Sequence, residues 1–284
     1  MMEKKSYSLA YSSCPNDTFI FKALAAPFID RDGMDFDIHL DDVETLNQHA
    51  LTARFDITKL SVAALGRVLD EYTLLRTGAA LGNGCGPLLI CADGHIREES
   101  YKTVAVPGLH TTAYYLFSFY HKERFPHGTV KILPMPFDQI MPAIQDGKVH
   151  AGVIIHEGRF VYQQMGFHKI ADLGQWWEDK TGLPIPLGCI AMRRTLGAET
   201  VLKMESLIRD SIAHGFAHPA LGRDYICEHA KELDDAVIDQ HISLYVNEYS
   251  MDLGSKGEHA IKTFFSHAAQ VNLMESGPWN LFVK

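Results

Sequence analysis

The sequence predicts a two-lobed α/β protein with a cleft between the lobes. Three observations support this fold class. The chain has 284 residues, 46% of them hydrophobic, which is enough for two cores of ordinary domain size. Short apolar segments alternate with helical patterns through the first two thirds, which is typical of parallel sheets built from strand–helix units. Two breaks, at residues 107–108 and 182–186, indicate crossings between the lobes.

The first lobe begins with strands and helices in alternation. Polar residues at helix starts set the expected bounds. Asn16 or Asp17 is expected to cap the first helix, and Lys59, Leu60 and Ser61 are expected to open the third. In chain order the predicted elements are a strand at 8–11, helices at 18–26 and 43–53, a strand at 55–58 and a helix at 62–69.

The pattern restarts near residue 100, where we place the crossing into the second lobe. Pro107 and Gly108 precede an aromatic helix, and Gly147 stops a later helix. Alternate prolines at Pro184 and Pro186 hold an extended segment, which predicts the return crossing. The predicted elements are strands at 103–106, 131–133 and 151–155, helices at 113–120 and 137–145, and mostly helix from 196 onward.

This order predicts that one lobe is inserted into the other. Residues 1–100 and 190–284 form the discontinuous lobe 1, and residues 101–189 form lobe 2. Two crossover segments between lobes are the plan of hinge-closing ligand-binding folds.

Composition excludes several classes of protein. Acidic residues outnumber basic ones 35 to 26, and the basic residues are scattered, so nucleic acid is not an expected partner. The residues after the N-terminal lysines alternate polar with apolar, unlike the apolar core of a signal peptide. No apolar run approaches the length of a membrane span. We therefore expect a cytoplasmic protein without a membrane partner, and a homodimer remains open.

Cysteines and histidines do not show a metal-binding pattern. The five cysteines include no C-x-x-C pair, which is typical of reduced cytosolic thiols. The fifteen histidines include no H-x-x-x-H pair on a helix, and residues 156–160 fail the zincin spacing at the fifth position. The sequence therefore does not predict a metal site.

Three turns from strand to helix carry small polar residues. They contain Ser12, Ser13 and Cys14; Ser61 after Lys59; and Thr111 with Thr112. Such turns lie at the carboxyl ends of strands, where open α/β sheets bind ligands, and each helix start offers unpaired N–H groups to an anion. For any single turn, capping of the following helix is the favoured interpretation. Three converging turns predict a site for a small carboxylate.

His156 is the candidate catalytic residue. It ends an apolar strand on the expected cleft side, where a base that titrates near neutral pH is useful. A single histidine at a strand end is more often structural, so this assignment depends on its context. Glu157 either orients His156 or faces water.

Two other features have alternative interpretations. Cys14 is a candidate nucleophile activated by the helix start behind it, but no histidine is close in sequence, and cysteine also fills tight turns. Trp176 and Trp177, with Phe160 and Tyr162, either wall an aromatic ligand or belong to the core of the second lobe.

Segments along nearly the whole chain together resemble one family, although each alone is weak. They are Cys14–Phe21, Asp42–Asn47, Thr58–Ser61, Pro107 with His110–Tyr114, Ile154–Glu157 and Thr181–Gly188. The chain resembles the 1,4-dihydroxy-6-naphthoate synthases of the futalosine route to menaquinone. One departure is Ser13, because the family usually has proline there, which makes a contact from Cys14 less certain.

The resemblance implies a periplasmic-binding-protein-like type II fold without export and a lyase that needs no cofactor. The implied substrate is cyclic dehypoxanthine futalosine, cleaved to 1,4-dihydroxy-6-naphthoate and dihydroxyacetone. The catalytic base of the family falls on His156. Its substrate-contacting segments fall on Lys59, Leu60 and Ser61 and on Thr111 and Thr112, and Ser13 and Cys14 join them as candidate substrate contacts.

Two other functions compete with this interpretation. Chorismate dehydratase of the same pathway shares the implied fold and also takes a carboxylate without a cofactor. The segments 154–157 and 42–44 favour the synthase. A non-catalytic binding protein for a transporter needs a signal sequence or a lipobox cysteine, and residues 1–13 offer neither.

Overall fold

The chain folds into two β-sheets flanked by helices. The computed structural model describes residues 5–94, 100–156, 158–230 and 234–283. The strands are β1 (Lys5–Tyr11), β2 (Met34–Leu40), β3 (Ile57–Ser61), β4 (Tyr72–Leu74), β5 (Ala80–Gly82), β6 (Leu88–Cys91), β7 (Thr103–Val106), β8 (Lys131–Pro134), β9 (Ala151–Ile154), β10 (His168–Asp172) and β11 (Ile185–Arg193).

The helices lie between and after these strands. They are α1 (Pro15–Ala25), α2 (Val43–Leu51), α3 (Val62–Leu65), α4 (Thr112–Arg124), α5 (Phe137–Gln145), α6 (Gly158–Val161), α7 (Leu173–Thr181), α8 (Ala198–Ala217), α9 (Arg223–His229), α10 (Asp235–Tyr245), α11 (Glu248–Met251) and α12 (Gly254–Gln270).

The first sheet is built from strands that come before and after those of the second sheet in the chain. Its strand order is β2-β1-β3-β11-β4, and β5 also pairs with β11. Strand β1 runs parallel to β2 and β3, so Tyr11 and Ser61 end their strands at the same edge of the sheet. Strand β11 is antiparallel to β3, and Gly188 lies opposite Ser61. This edge therefore collects the two turns that follow β1 and β3.

The second sheet has the order β10-β6-β9-β7-β8. Strand β7 is parallel to β8 and β9, whereas β6 is antiparallel to β9 and β10. The carboxyl end of β9 leads directly to His156. This sheet thus supplies the candidate base to the cleft.

Two fold predictions need correction. Parallel pairing holds for β2-β1-β3 and for β9-β7-β8, but the expectation of wholly parallel sheets is wrong, because β4, β5, β6, β10 and β11 all pair antiparallel. Two strands lie partly or wholly in a different sheet from the one that the proposed lobe boundaries imply. Leu88–Cys91 pairs in the second sheet, and all of Ile185–Arg193 pairs in the first.

Local boundaries also differ from the prediction. Lys59, Leu60 and Ser61 lie in strand β3 rather than opening a helix, and the helix after them ends at Leu65. Helix α1 begins at Pro15, a favourable first helical residue, and Cys14 occupies the cap position. Asn16 and Asp17 therefore lie inside the first turn of the helix, where their side chains are available for other contacts.

A continuous hydrophobic core joins the two sheets. Leu60 and Cys189 of the first sheet and Leu89 and Val153 of the second belong to one buried cluster. Trp177 is fully buried in the same cluster, so it is a core residue, and Trp176 packs at its margin. Among the described residues no helix combines the length and apolarity needed to span a membrane.

Candidate functional site

A cavity lies between the two sheets, at the carboxyl ends of β1, β3 and β9. We call it the main cavity. It contains about 660 Å³ of empty space, part of which is continuous with solvent. Its wall includes Ser12, Asn16, Asp17, Lys59, Leu60, Ser61, Ala80, Thr111, His156, Leu187, Gly188, His241 and Tyr245.

A buried ion pair forms the floor of the main cavity. Lys59 Nζ donates to Asp17 Oδ1 at 2.5 Å, and the two side chains are 6% and 4% exposed. Asp17 Oδ2 also accepts from the Ser12 hydroxyl at 2.7 Å. Gly188 makes room for the lysine, since a Cβ atom there would lie 3.1 Å from Lys59 Cε. Each side chain thus has a hydrogen-bond partner, which offsets much of the cost of burying it.

The ion pair determines the orientation of Asn16. An ionised carboxylate only accepts hydrogen bonds, so the Asn16 amide nitrogen must face Asp17, to which it donates at 2.8 Å. The amide oxygen of Asn16 then faces His241 Nε2 at 2.9 Å. Nε2 is therefore the protonated nitrogen of the neutral His241 ring, and Nδ1 is an acceptor.

His241 is held neutral by its surroundings. The side chain is fully buried, and burial is the main reason that its pKa lies well below the ordinary value. The nearby His156 and Lys59 lower this pKa further, because a second positive charge beside them is unfavourable.

His156 reaches the cavity from the other sheet. Its backbone has a φ of +54°, a left-handed conformation that is uncommon for residues other than glycine and that often occurs at functional sites. The ring packs 5.0 Å from the Phe137 ring. It also stacks on His241 with centroids 6.0 Å apart and planes inclined by 9°. The half-buried imidazole is thus fixed by rings from both lobes.

Cys14 contacts His156 across the cleft. The distance from Cys14 Sγ to His156 Nδ1 is 3.4 Å, and to Nε2 it is 3.9 Å. Cys14 is buried at the start of α1 and caps that helix through its backbone alone. The two residues are 142 positions apart in the sequence. A histidine therefore does lie beside Cys14 in the folded protein, although none is close to it in the sequence. Glu157 lies outside the described residues.

The predicted hydroxyl groups are mostly engaged within the protein. Thr111 lines the cavity, and its hydroxyl caps α4 by accepting from Tyr114 N at 3.2 Å. Ser61 Oγ accepts from the Asn47 amide at 3.1 Å. Thr112 does not line the main cavity, because its hydroxyl donates to the carbonyl of Leu187 at 2.8 Å. The capping interpretation therefore holds for Thr111.

A carboxylate of the protein itself lies at the start of α4. Glu44 accepts from the backbone N–H of His110 at 3.3 Å, and burial raises the pKa of Glu44. Gly108 permits this approach, since a Cβ atom there would lie 2.3 Å from Glu44 Cδ. The N–H of His110 is thus already bound to an acid group.

Sequence reasoning missed part of this site. Asn16 and Asp17 were interpreted as helix caps, although the segment Cys14–Phe21 that carries the family resemblance contains both. His241 and Tyr245 lie on α10, far along the chain, and no local pattern marks them. Within the described ranges no group of three or more His, Cys, Asp or Glu side chains is arranged to hold a metal ion.

Comparison with known proteins extends over almost the whole chain. Residues 7–270 match a family described as "Menaquinone biosynthesis". The chain is 45% identical to a 1,4-dihydroxy-6-naphtoate synthase of Streptomyces coelicolor, with 98% of each chain covered. It is 44% identical to a protein of the same name from Thermus thermophilus, with 97% of this chain and 98% of that one covered.

Solved structures show the same architecture. A protein of Archaeoglobus fulgidus superposes with a TM-score of 0.88 at 30% identity, covering 95% of this chain and 98% of that one. A Candida albicans protein described as having the generic periplasmic binding protein fold superposes with a TM-score of 0.70 at 10% identity, covering 96% and 92%. The fold is therefore periplasmic-binding-protein-like, as the resemblance implied.

Proposed function

This chain belongs to the menaquinone biosynthesis family, and from that premise we propose that it is a 1,4-dihydroxy-6-naphthoate synthase. The proposed reaction is a carbon–carbon lyase reaction. Cyclic dehypoxanthine futalosine is converted to 1,4-dihydroxy-6-naphthoate and dihydroxyacetone, without a metal or another cofactor. The names of two relatives that match end to end support this assignment.

His156 is the proposed general base. Its imidazole removes a hydroxyl proton from the sugar-derived portion of the substrate, which becomes a carbonyl as the carbon–carbon bond breaks. The electron pair of that bond passes into the ring system, and formation of the aromatic naphthalene provides the driving force. The protonated imidazole then returns its proton to the ring system, so this retro-aldol-like reaction balances in atoms and charge.

The remaining candidate residues are proposed to hold the substrate. Lys59, Ser61 and Thr111 lie around the part of the main cavity that suits the carboxylate, and Leu60 contacts the ring system. Ser13 and Cys14 lie beside His156 and are proposed to contact the sugar-derived end of the substrate. Thr112 is proposed to act indirectly, by supporting Leu187 in the cavity wall.

One observation carries the proposal. The ring of His156 lies in the same cavity as Lys59, Ser61 and Thr111, although they come from different sheets and distant parts of the sequence. A base and a carboxylate-binding wall that share a cavity can act on one small molecule.

The test is turnover by His156→Ala. We expect turnover to fall by about 10²- to 10⁴-fold, the usual contribution of a general base, while substrate affinity stays within about tenfold. Formation of the naphthoate is followed by its absorbance, and substrate binding is measured by calorimetry. His127→Ala is the matched control, because His127 is an exposed histidine of the second lobe.

Turnover of His156→Ala close to that of the unaltered protein would refute the assignment of the base. Incubation of the unaltered protein with chorismate provides a separate comparison. Consumption of chorismate instead of the cyclic futalosine would assign the protein to the dehydratase of the same pathway.

A further inference from the structure

A second cavity lies beyond His156, and we call it the outer chamber. It contains about 530 Å³ of empty space, part of which is open to solvent. Ser12, Val43 and His156 line both the outer chamber and the main cavity. The two spaces therefore meet at the imidazole, and a ligand longer than the main cavity would continue past it into the outer chamber.

The walls of both spaces are mostly apolar, but their polar groups differ. The main cavity contains a buried cation, Lys59, whose charge is balanced by Asp17. In the outer chamber, Ser13 and two adjacent acidic residues, Asp41 and Asp42, lie among apolar side chains. Carboxylates accept hydrogen bonds from hydroxyl groups and repel an anion.

The two acidic residues are not equivalent. Asp42 caps α2, because its carboxylate accepts from the backbone N–H groups of Glu44 and Thr45 at 3.0 and 3.1 Å. Asp41 is partly exposed, and its carboxylate lies 3.8 Å from His49 Nδ1, beyond ordinary hydrogen-bond distance. Asp41 thus keeps acceptor capacity for a ligand, whereas that of Asp42 is largely used.

We propose that the outer chamber is the subsite for the hydroxylated three-carbon portion of the substrate and that Ser13 and Asp41 determine specificity there. The inference rests on the proposed function and adds to it the orientation of the bound substrate. The ligand class is a neutral polyol, bound through its hydroxyl groups. The carboxylated ring system occupies the main cavity, and the bond that breaks lies between the two, beside His156.

The proposal explains the contact between Cys14 and His156. Cys14 lines the outer chamber and lies 3.4 Å from the imidazole, so it borders the position where the three-carbon fragment separates. Phe137, which also lines the outer chamber, packs 5.0 Å from the same ring. The proposed base is thus bordered by two residues of the outer chamber.

The test is Ser13→Phe, which places a bulky side chain in the outer chamber. We expect kcat/KM for the cyclic futalosine to fall at least tenfold, and inhibition by added dihydroxyacetone to disappear. The Kd of 1,4-dihydroxy-6-naphthoate should change less than twofold, since this product occupies the main cavity only. Asp41→Asn should raise KM two- to fivefold and leave the Kd of the naphthoate unchanged.

Ala80→Phe is the matched control, because Ala80 is buried in the wall of the main cavity. That variant should lose binding of the naphthoate. Binding of the naphthoate by Ser13→Phe also shows that the variant is folded. An unchanged kcat/KM in Ser13→Phe, or equal loss of naphthoate binding in both Phe variants, would overturn the subsite.

Turnover by the unaltered protein separates the two proposals. If the unaltered protein does not convert the cyclic futalosine, the proposed function fails and the subsite fails with it. If the unaltered protein converts it and Ser13→Phe does so equally well, only the subsite fails.

Discussion

The two walls of the main cavity are held in place by different means. On the wall from the first lobe, a chain of hydrogen bonds connects Lys59, Asp17, Asn16 and His241, and every member is buried. On the opposite wall, His156 follows β9 in a left-handed conformation, and ring packing fixes its half-buried side chain.

The difference shows how the site divides its tasks. Buried charges are tolerated only when every partner is present, so the first wall provides a fixed electrostatic environment. A base must exchange protons with substrate and solvent, and the half-buried ring of His156, the proposed base, is accessible to both. The neutral His241 joins the two walls, because it ends the hydrogen-bonded chain and stacks on His156.

Breaking the first wall should have the largest effect on stability. Lys59→Met removes the cation and leaves Asp17 buried without its charge partner, which should lower the free energy of unfolding by about 3–5 kcal/mol. Urea denaturation followed by circular dichroism measures this change. Lys148→Met is the matched control, since its ion pair with Asp146 is exposed, at 71% and 56%, and should cost at most about 1 kcal/mol. Equal losses in the two variants would contradict the role of the buried pair.

Replacing the residue that joins the walls should alter the response to acid. The pKa of folded His241 is depressed, so below pH about 6.5 the unfolded chain binds a proton there that the folded chain does not. Stability should therefore fall as the pH decreases, by at most about 1.4 kcal/mol per pH unit from this residue.

His241→Gln removes that contribution and keeps a side-chain amide able to donate to Asn16. Urea unfolding at pH 7.0, 6.0 and 5.0 should show a shallower loss of stability in the variant. His110 and His121 also have pKa values lowered by burial, so both proteins should retain some acid sensitivity. Parallel curves for the two proteins would show that His241 is not held neutral.

The smallest expected effect on stability comes from the hydroxyl of Thr111, at the start of α4. Thr111→Ala removes the hydroxyl that accepts from Tyr114 N and should lower the free energy of unfolding by about 1 kcal/mol. Thr111→Ser keeps the cap and should unfold at nearly the same urea concentration as the unaltered protein. A larger loss in the serine variant than in the alanine variant would exclude capping as the main role of this hydroxyl.

Local signals predicted much of the fold. The helix at 137–145 lies at the predicted residues, because an apolar face and a terminal glycine mark it. Strand β11 (Ile185–Arg193), by contrast, was not predicted as a strand of the first sheet. Its pairing with β3 is antiparallel and depends on where the chain returns after the second lobe, which no local pattern contains.

The candidate site was predictable where residues follow strands. His156 follows β9 closely, and the position of that strand can be inferred from its apolar run. The end of β3 was predicted at residue 58, whereas the strand continues to Ser61. Asp17 was not recognised as a charge partner, since its lysine lies 42 residues away. His241 could not be found, because Asn16, its hydrogen-bond partner, lies 225 residues away in the sequence.

The topology has a consequence for folding during synthesis on the ribosome. The second sheet is one continuous stretch of chain, from Leu88 to Asp172, so its strands can pair as soon as they leave the exit tunnel. The first sheet must wait for β11 to reach β3, and its edge is closed only when Leu74 N donates to the carbonyl of Leu281. Part of the chain made first therefore completes its tertiary structure last, and its sheet lacks β11 in the interval.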